Sequence, residues 1–466
     1  MTVLKFSLFK ENFYGKIKDF TIFDCMEFNV LKVVLDGLKV DYVGKNNKIL
    51  PLFRLYGKTL HQLKSVIYKL RKKPSRQIEN QFQGKSYDYL LLDVGRSLIT
   101  EKGERVITYL HNIQSYFNEK KISYLTVEEF KTHKDIKHDI KLPDFQEDWK
   151  HQPFTEDEKE LIDALKKKYE TLTQLAIFDD KELSNIYFSF VKFIYQYKVW
   201  SYFLSIVKVK KIIFVCHYHK EGFILACKRK GVELIELQHG LIAPEDIFYL
   251  FPKTIQPIAD KALFADKIMV YGDFWKERLL EGGEYAENKI INGGYYQYVH
   301  ANFTPEQKEG LANIVGKKPI ILITTQTYMH EYFIDYIQFL SKDLLEKGLS
   351  HQIIVKNHPA EKKESYQSVM DLKNVSFSDA SVDALFTVTD YHVSIYSTTL
   401  YDAIRYKVKS FALCYEPFLD YVESVVESGV AKRLMPKENL LDKVQVEDET
   451  NSTYYYQEPD FSLFLK

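Results

Sequence analysis

The sequence predicts an α/β chain folded as two doubly wound parallel sheets that face each other across a cleft. Three observations carry this. Short apolar strands alternate with helices through most of the chain after residue 210. A polar segment at 301–318 interrupts the alternation once, after which it restarts. The polar clusters that stand out all fall at the C-terminal ends of predicted strands, the edge where open α/β sheets bind ligands. At 466 residues the chain is too long for one ordinary core. The expected division is a first Rossmann-like unit over 1–302 and a second over 303–466, the last segment free to cross back.

In order, Asp88-Tyr89-Leu90-Leu91-Leu92-Asp93-Val94-Gly95 is an apolar run closed by glycine and reads as a buried strand. Helical spacing follows over 103–120, and Lys121-Ile122-Ser123-Tyr124-Leu125-Thr126 reads as the next strand, so the pairing is parallel. The stretch 131–153 is polar, rich in His and Lys and broken by Pro143 and Pro153, and reads as a mobile excursion. Thr155-Glu156-Asp157-Glu158 has capping-box spacing and opens a helix to about 177; an aromatic-rich helix spans 181–207. Strands at 211–217, 232–237, 267–272 and 289–294 then enclose helices at 221–230 and 273–280. Past the link come strands at 319–326, 352–356, 375–377, 392–395 and 410–413, with helices at 331–347, 381–387 and 399–406.

Composition excludes several classes. With 45% hydrophobic and 27% charged residues the chain is globular, and 64 basic against 64 acidic residues give no reason to expect nucleic-acid binding. The cysteines Cys25, Cys216, Cys227 and Cys414 are dispersed, which argues against a zinc site or disulfide framework and suits a reducing compartment. The first residues lack the apolar core of a signal peptide, and no run of about 18 apolar residues occurs, so a cytoplasmic protein is expected. Aromatic residues make up 15%, which suits either codon bias or a sugar-contacting surface. The basic-aromatic stretch 64–73 reads equally as a solvated helix face or a peripheral contact with the inner membrane.

The chemistry-bearing clusters come from both halves. The second contributes Thr324-Thr325-Gln326, Lys356-Asn357-His358-Pro359 and Ser397-Thr398-Thr399. His358 can donate to a phosphate oxygen, the hydroxyls of Ser397 and Thr398 and the following N–H groups can hold another, and Lys356 adds charge. Taken singly, His358 is as readily a turn cap, and the Ser-Thr-Thr run as readily a helix N-cap. The first half contributes His217-Tyr218-His219-Lys220-Glu221-Gly222 and Gln238-His239-Gly240. His239 and Glu221 are both natural general bases, and His217, His219 and Gln238 would line the acceptor side. No Asp-x-Asp ends a strand, and neither GxxxxGK[ST] nor GxGxxG occurs, so a metal-clamped diphosphate, a kinase and a dinucleotide enzyme are not indicated. No metal and no cofactor is expected.

Over about 211–415, the order Glu-Gly, Gln-His-Gly, His-Pro and Ser-Thr-Thr resembles bacterial glycosyltransferases of surface-polysaccharide synthesis: sialyl- and Kdo-transferases, polysialyltransferases and teichoic-acid glycerophosphotransferases. The resemblance implies a GT-B arrangement and inverting, metal-independent transfer from a nucleotide sugar, CMP-linked acidic sugars first, to a capsule or lipopolysaccharide acceptor. It implies Glu221 as base, His358 on the leaving phosphate, and Ser397 with Thr398 as its clamp. Lys220 stands where the sialyltransferases carry an acidic residue, and the teichoic-acid enzymes point to His239 as base instead. A CDP-polyol transferase, a nucleotide-sugar epimerase or hydrolase, and a non-catalytic glycan-assembly subunit are the alternatives.

Overall fold

The computed structural model describes residues 17, 19–42, 81–82, 84–100, 103–129, 135–142, 152–175, 177–242, 246, 248–283, 285–299, 301–304, 306–307, 309, 319–349, 352–444 and 451–465. The stretch 64–73, the first sixteen residues and most of the 301–318 link lie outside them.

Among the described residues the first domain holds seven parallel strands: β1 (Ser86–Asp93), β2 (Tyr124–Glu128), β3 (Ile140–Lys141), β4 (Lys208–Val215), β5 (Glu233–Leu237), β6 (Lys267–Val270) and β7 (Ile290–Asn292). Their order is β7-β6-β5-β4-β1-β2-β3. The described residues of the second hold six parallel strands: β8 (Ile320–Thr324), β9 (Gln352–Lys356), β10 (Val375–Phe377), β11 (Tyr391–Ser394), β12 (Lys409–Leu413) and β13 (Lys432–Leu434). Their order is β10-β9-β8-β11-β12-β13. Both sheets thus run outward in both directions from their first strand, as dinucleotide-type sheets do, and have switch points at β1/β4 and β8/β11. Two Rossmann-like domains in a GT-B arrangement result. Every residue of β8 is buried, as a central strand covered on both faces requires.

Seven helices matter for the site: α1 (Leu31–Tyr42), α2 (His111–Lys120), α3 (Glu156–Thr173), α4 (Asp180–Ile206), α5 (Glu221–Arg229), α6 (Asp273–Glu281) and α7 (His330–Glu346). The Thr155/Glu158 capping box starts α3, and a second box, Asp179/Glu182, starts α4. Among the described residues no helix is long and apolar enough to cross a membrane. The four cysteines are free thiols.

Three expected elements differ. In place of a helix from 103, a hairpin pairs Ser97–Ile99 with Arg105–Ile107 and α2 begins only at His111, because β-branched Val106 and Ile107 extend before the helical spacing starts. The polar stretch 131–153 contains β3, held by Asp139, whose carboxylate accepts from the N–H (2.7 Å) and hydroxyl (2.8 Å) of Thr126. Backbone pairing to β2 and burial of Ile140 and Leu142 complete that edge. The helix foreseen at 399–406 is one α-turn, α8 (Thr399–Asp402), followed by a 3-10 turn, Ala403–Tyr406.

The chain ends on the first domain. Beyond α9 (Ser452–Tyr455), the N–H of Gln457 donates to the Tyr271 carbonyl (2.7 Å) and that of Asp460 to Gly293 (2.9 Å). Phe464 packs among Tyr89, Phe117 and Tyr296. Gly294, at φ +85°, lets this strap pass: a Cβ there would strike the backbone of Glu458 and Pro459.

Candidate active site

A cavity of about 110 Å³ opens between the two domains. Its walls come from the C-terminal edges of both sheets: Arg96 after β1, His239-Gly240-Leu241 after β5, Tyr271 and Trp275 after β6, Tyr295 and Gln297 after β7, and Thr398, Tyr401 and Asp402 after β11. Tyr456 of the returning strap closes one side. Thr398 faces Gly240 across the cleft, its methyl 3.7 Å from where a Cβ on Gly240 would lie.

On the first-domain wall, His239 is half-buried between two tyrosines. The Tyr218 hydroxyl lies 3.3 Å from its Nε2 and the Tyr249 hydroxyl 3.4 Å from its Nδ1. Tyr109 donates to the His239 carbonyl (2.9 Å) and takes a bond from Arg96 (2.9 Å), so the cation and the imidazole are positioned together. Behind them Tyr249 donates to Glu236 (2.6 Å), which also pairs with His217 (2.8 Å). Burial alone would raise the Glu236 pKa, but His217 and Tyr249 hold it below the usual carboxylate value.

On the second-domain wall, Asp402 lines the cavity and accepts from the Tyr456 hydroxyl (3.1 Å). Burial lifts its carboxyl to about 6 against the opposing charge of Arg405. The Arg405 guanidinium lies 4.1 Å from the centre of the Tyr295 ring. The loop carrying Thr398 is fixed from below by a polar chain. Thr399 Oγ1 lies 2.8 Å from Thr324 Oγ1, which lies 2.9 Å from His392 Nε2, and His392 Nδ1 lies 3.1 Å from Ser410. Burial depresses the His392 pKa to about 3, so its imidazole is neutral.

The two phosphate-type stretches flank the end of β8. Thr325 accepts the His358 N–H (3.0 Å) on one side, and Gln326 accepts the Tyr396 N–H (3.0 Å) on the other. His358 is exposed; its Nδ1 accepts the Ala360 N–H (3.1 Å), which leaves the proton on Nε2, pointing outward as a donor. Pro359 is exposed beside it, and the Ser397 hydroxyl accepts the Thr399 N–H (3.3 Å). Burial lowers the Lys356 pKa against the nearby charge of Asp379.

Several expected site residues are turned elsewhere. His217 is fully buried, with Nε2 on the Phe248 carbonyl (2.8 Å) and Nδ1 on Glu236, so it does not reach an acceptor. Gln238 is buried too; its amide donates to Gly240 (2.8 Å) and accepts from Tyr271 (3.0 Å), which shapes the His239 loop from beneath. His219 pairs with Asp36 (2.6 Å), outside the cavity lining. Thr325 is buried and bonded to Glu361, and the Thr399 hydroxyl is taken up by Thr324; both organise the loop rather than face a ligand. Glu221 starts α5 but is 3% exposed and faces Lys32 (3.8 Å) and Asp36 of α1 instead of the cavity. Burial and the Asp36 charge push its carboxyl up to about 7, against the pull of Lys32. Its neighbour Gly222 has a packing role: a Cβ there would collide with the Phe193 carbonyl of α4 and lie 2.8 Å from Gln196.

Arg96, Asp402, Tyr295 and Tyr456 were not singled out in the sequence. Asp402 had the one usable signal, an acid one turn after the Ser-Thr-Thr run.

No family model matches the chain, and no curated protein matches it significantly. Solved structures similar to it include the S. aureus MnaA–UDP co-structure, at 13% identity and a TM-score of 0.49, covering 81% of this chain and 94% of that one. A UDP-GlcNAc 2-epimerase from Methanocaldococcus jannaschii has 11% identity and a TM-score of 0.48, covering 80% and 98%. An α,α-trehalose-phosphate synthase from Burkholderia vietnamiensis has 9% identity and a TM-score of 0.37, covering 75% and 89%. At these values the chemistry of the site rests on its own residues.

Proposed function

We propose that the chain is an inverting glycosyltransferase that moves a sugar from a nucleotide sugar to a glycan or glycolipid acceptor. The observation that carries this is the meeting of His239 and Thr398 in one interdomain cavity walled by five aromatic side chains. Aromatic faces suit the C–H faces of a sugar ring. The acceptor hydroxyl displaces the Tyr218 hydroxyl from His239 Nε2, which takes its proton, and the acceptor oxygen attacks the anomeric carbon while the bond to the leaving phosphate breaks. His358 Nε2, Ser397 and Thr398 receive the charge that develops on that phosphate, with no metal in the step. Arg96 in the same cavity suits the carboxylate of an acidic sugar, which favours a CMP-linked acidic sugar over a CDP-polyol. Peripheral binding at the inner membrane face would bring the enzyme to a lipid-linked acceptor.

His239→Ala should lower kcat by roughly 10²–10⁴ with the melting temperature kept, while Glu221→Gln should leave kcat within a few-fold. The reverse pattern would reassign the base. A second reading has its own support: Asp402, titrating near 6, stands opposite His239 across the cavity, and two proton carriers on facing walls suit a nucleotide-sugar epimerase. Product analysis with donor and no acceptor separates them, since an epimerised nucleotide sugar can arise only from the second activity.

A further inference from the structure

Asn357 directly follows β9, one residue before His358. Both its amide atoms, Nδ2 and Oδ1, are closed off from solvent, and neither has a hydrogen-bond partner. Among the described residues no other side chain leaves two polar atoms in that state; Asn185 and Asn292 each leave one. Native proteins pair nearly all buried polar groups, and the exceptions call for a reason. The neighbouring backbone offers no remedy. The Thr325 N–H is committed to the Lys356 carbonyl (3.0 Å) and the Ser378 N–H to Val355 (3.1 Å), so the loops after β8 and β10 are both fixed against this strand end. The Thr325 hydroxyl is taken by His358 and Glu361.

A ligand that satisfies this amide must offer a donor and an acceptor side by side. Phosphate and carboxylate offer acceptors only. A nucleobase edge presents both, and asparagine pairs with such an edge through two bonds. The position agrees: Asn357 follows β9, His358 comes next, and Ser397 and Thr398 follow β11 on the other side of β8, where Thr398 lines the sugar cavity. Base, phosphate and sugar would then follow one another along the sheet edge. We propose that Asn357 reads the base of the bound nucleotide, its amide uncovered when the exposed 358–360 turn beside it shifts, an inference that rests on the nucleotide-sugar reading above. Because no protein group fixes which way the amide faces, it can turn to match cytosine (N4–H donor, N3 acceptor) or uracil (N3–H donor, O4 acceptor).

The test is binding of CMP, UMP, ribose 5-phosphate and pyrophosphate to the wild type and to Asn357→Leu, by thermal shift and calorimetry. The expected result is that the variant alone melts higher than the wild type, binds CMP or UMP about 5- to 150-fold more weakly, and keeps its affinity for pyrophosphate. Asn357→Ser serves the same comparison if the leucine variant does not fold. Nucleotide binding unchanged in the variant overturns the inference, as does loss of pyrophosphate and nucleotide together, which would mark a structural residue. A wild type that binds pyrophosphate but gains nothing from a base also overturns it while leaving the phosphate site standing. A wild type that binds none of the four removes the nucleotide-sugar reading itself.

Discussion

At the residue scale, the two base candidates differ in what surrounds them. His239 has hydroxyls at both ring nitrogens and lines the cavity. Glu221 has a buried cation and a second carboxylate. Its pH behaviour is testable without any substrate. With a folded pKa of about 7 against an ordinary 4.5, the native state binds more protons than the unfolded state between those values. Stability therefore falls as pH rises through that window. Glu221→Gln should remove this slope and match or exceed wild-type stability at pH 8, by up to roughly 3 kcal/mol at about 1.4 kcal/mol per pKa unit. Urea denaturation at pH 5 and pH 8 measures it. A variant that loses stability equally at both values would contradict the assignment.

At the element scale, α5 shows how packing can imitate a motif. The Glu-Gly pair reads in sequence as a base beside a flexible glycine, yet Gly222 is needed because α4 crosses there in backbone contact. Gly222→Ala should destabilise the fold by about 1–3 kcal/mol, visible as a lower urea midpoint, with nucleotide affinity retained. Most of the strands were legible because each is an apolar run with a turn residue after it; β9 and β10 begin and end where the pattern says. The Gln238-His239-Gly240 loop was legible for the same reason. Arg96 and Asp402 were not, because a lone charge after a strand looks like any solvated residue until the opposite domain is placed against it. The hairpin at Ser97–Ile99 and the edge strand β3 escaped notice because strands of two or three residues are too short to show an apolar period.

At the scale of the whole molecule, the strap sets the relation between the domains. Trp275 donates to the Tyr455 carbonyl (2.8 Å), the Tyr455 hydroxyl donates to Ser428 of the second domain (2.5 Å), and the Tyr456 hydroxyl donates to Asp402. One segment thus holds both sides of the cleft. Ending the chain after residue 451 should widen the spread of domain orientations, read as a larger radius of gyration by small-angle scattering, and weaken binding of any ligand that spans the cavity. An unchanged radius would mean that other contacts set the closure.

The same strap redraws what counts as a unit of folding. The first domain reads as residues 1–302, but a piece cut there would carry an aromatic groove at Tyr89, Phe117 and Tyr296 with nothing to fill it. Such a fragment is expected to be sticky and to need the 452–465 peptide supplied separately. The first domain is therefore discontinuous: its last contacts are made by residues synthesised after the entire second domain, so its completion depends on the part of the chain that follows it.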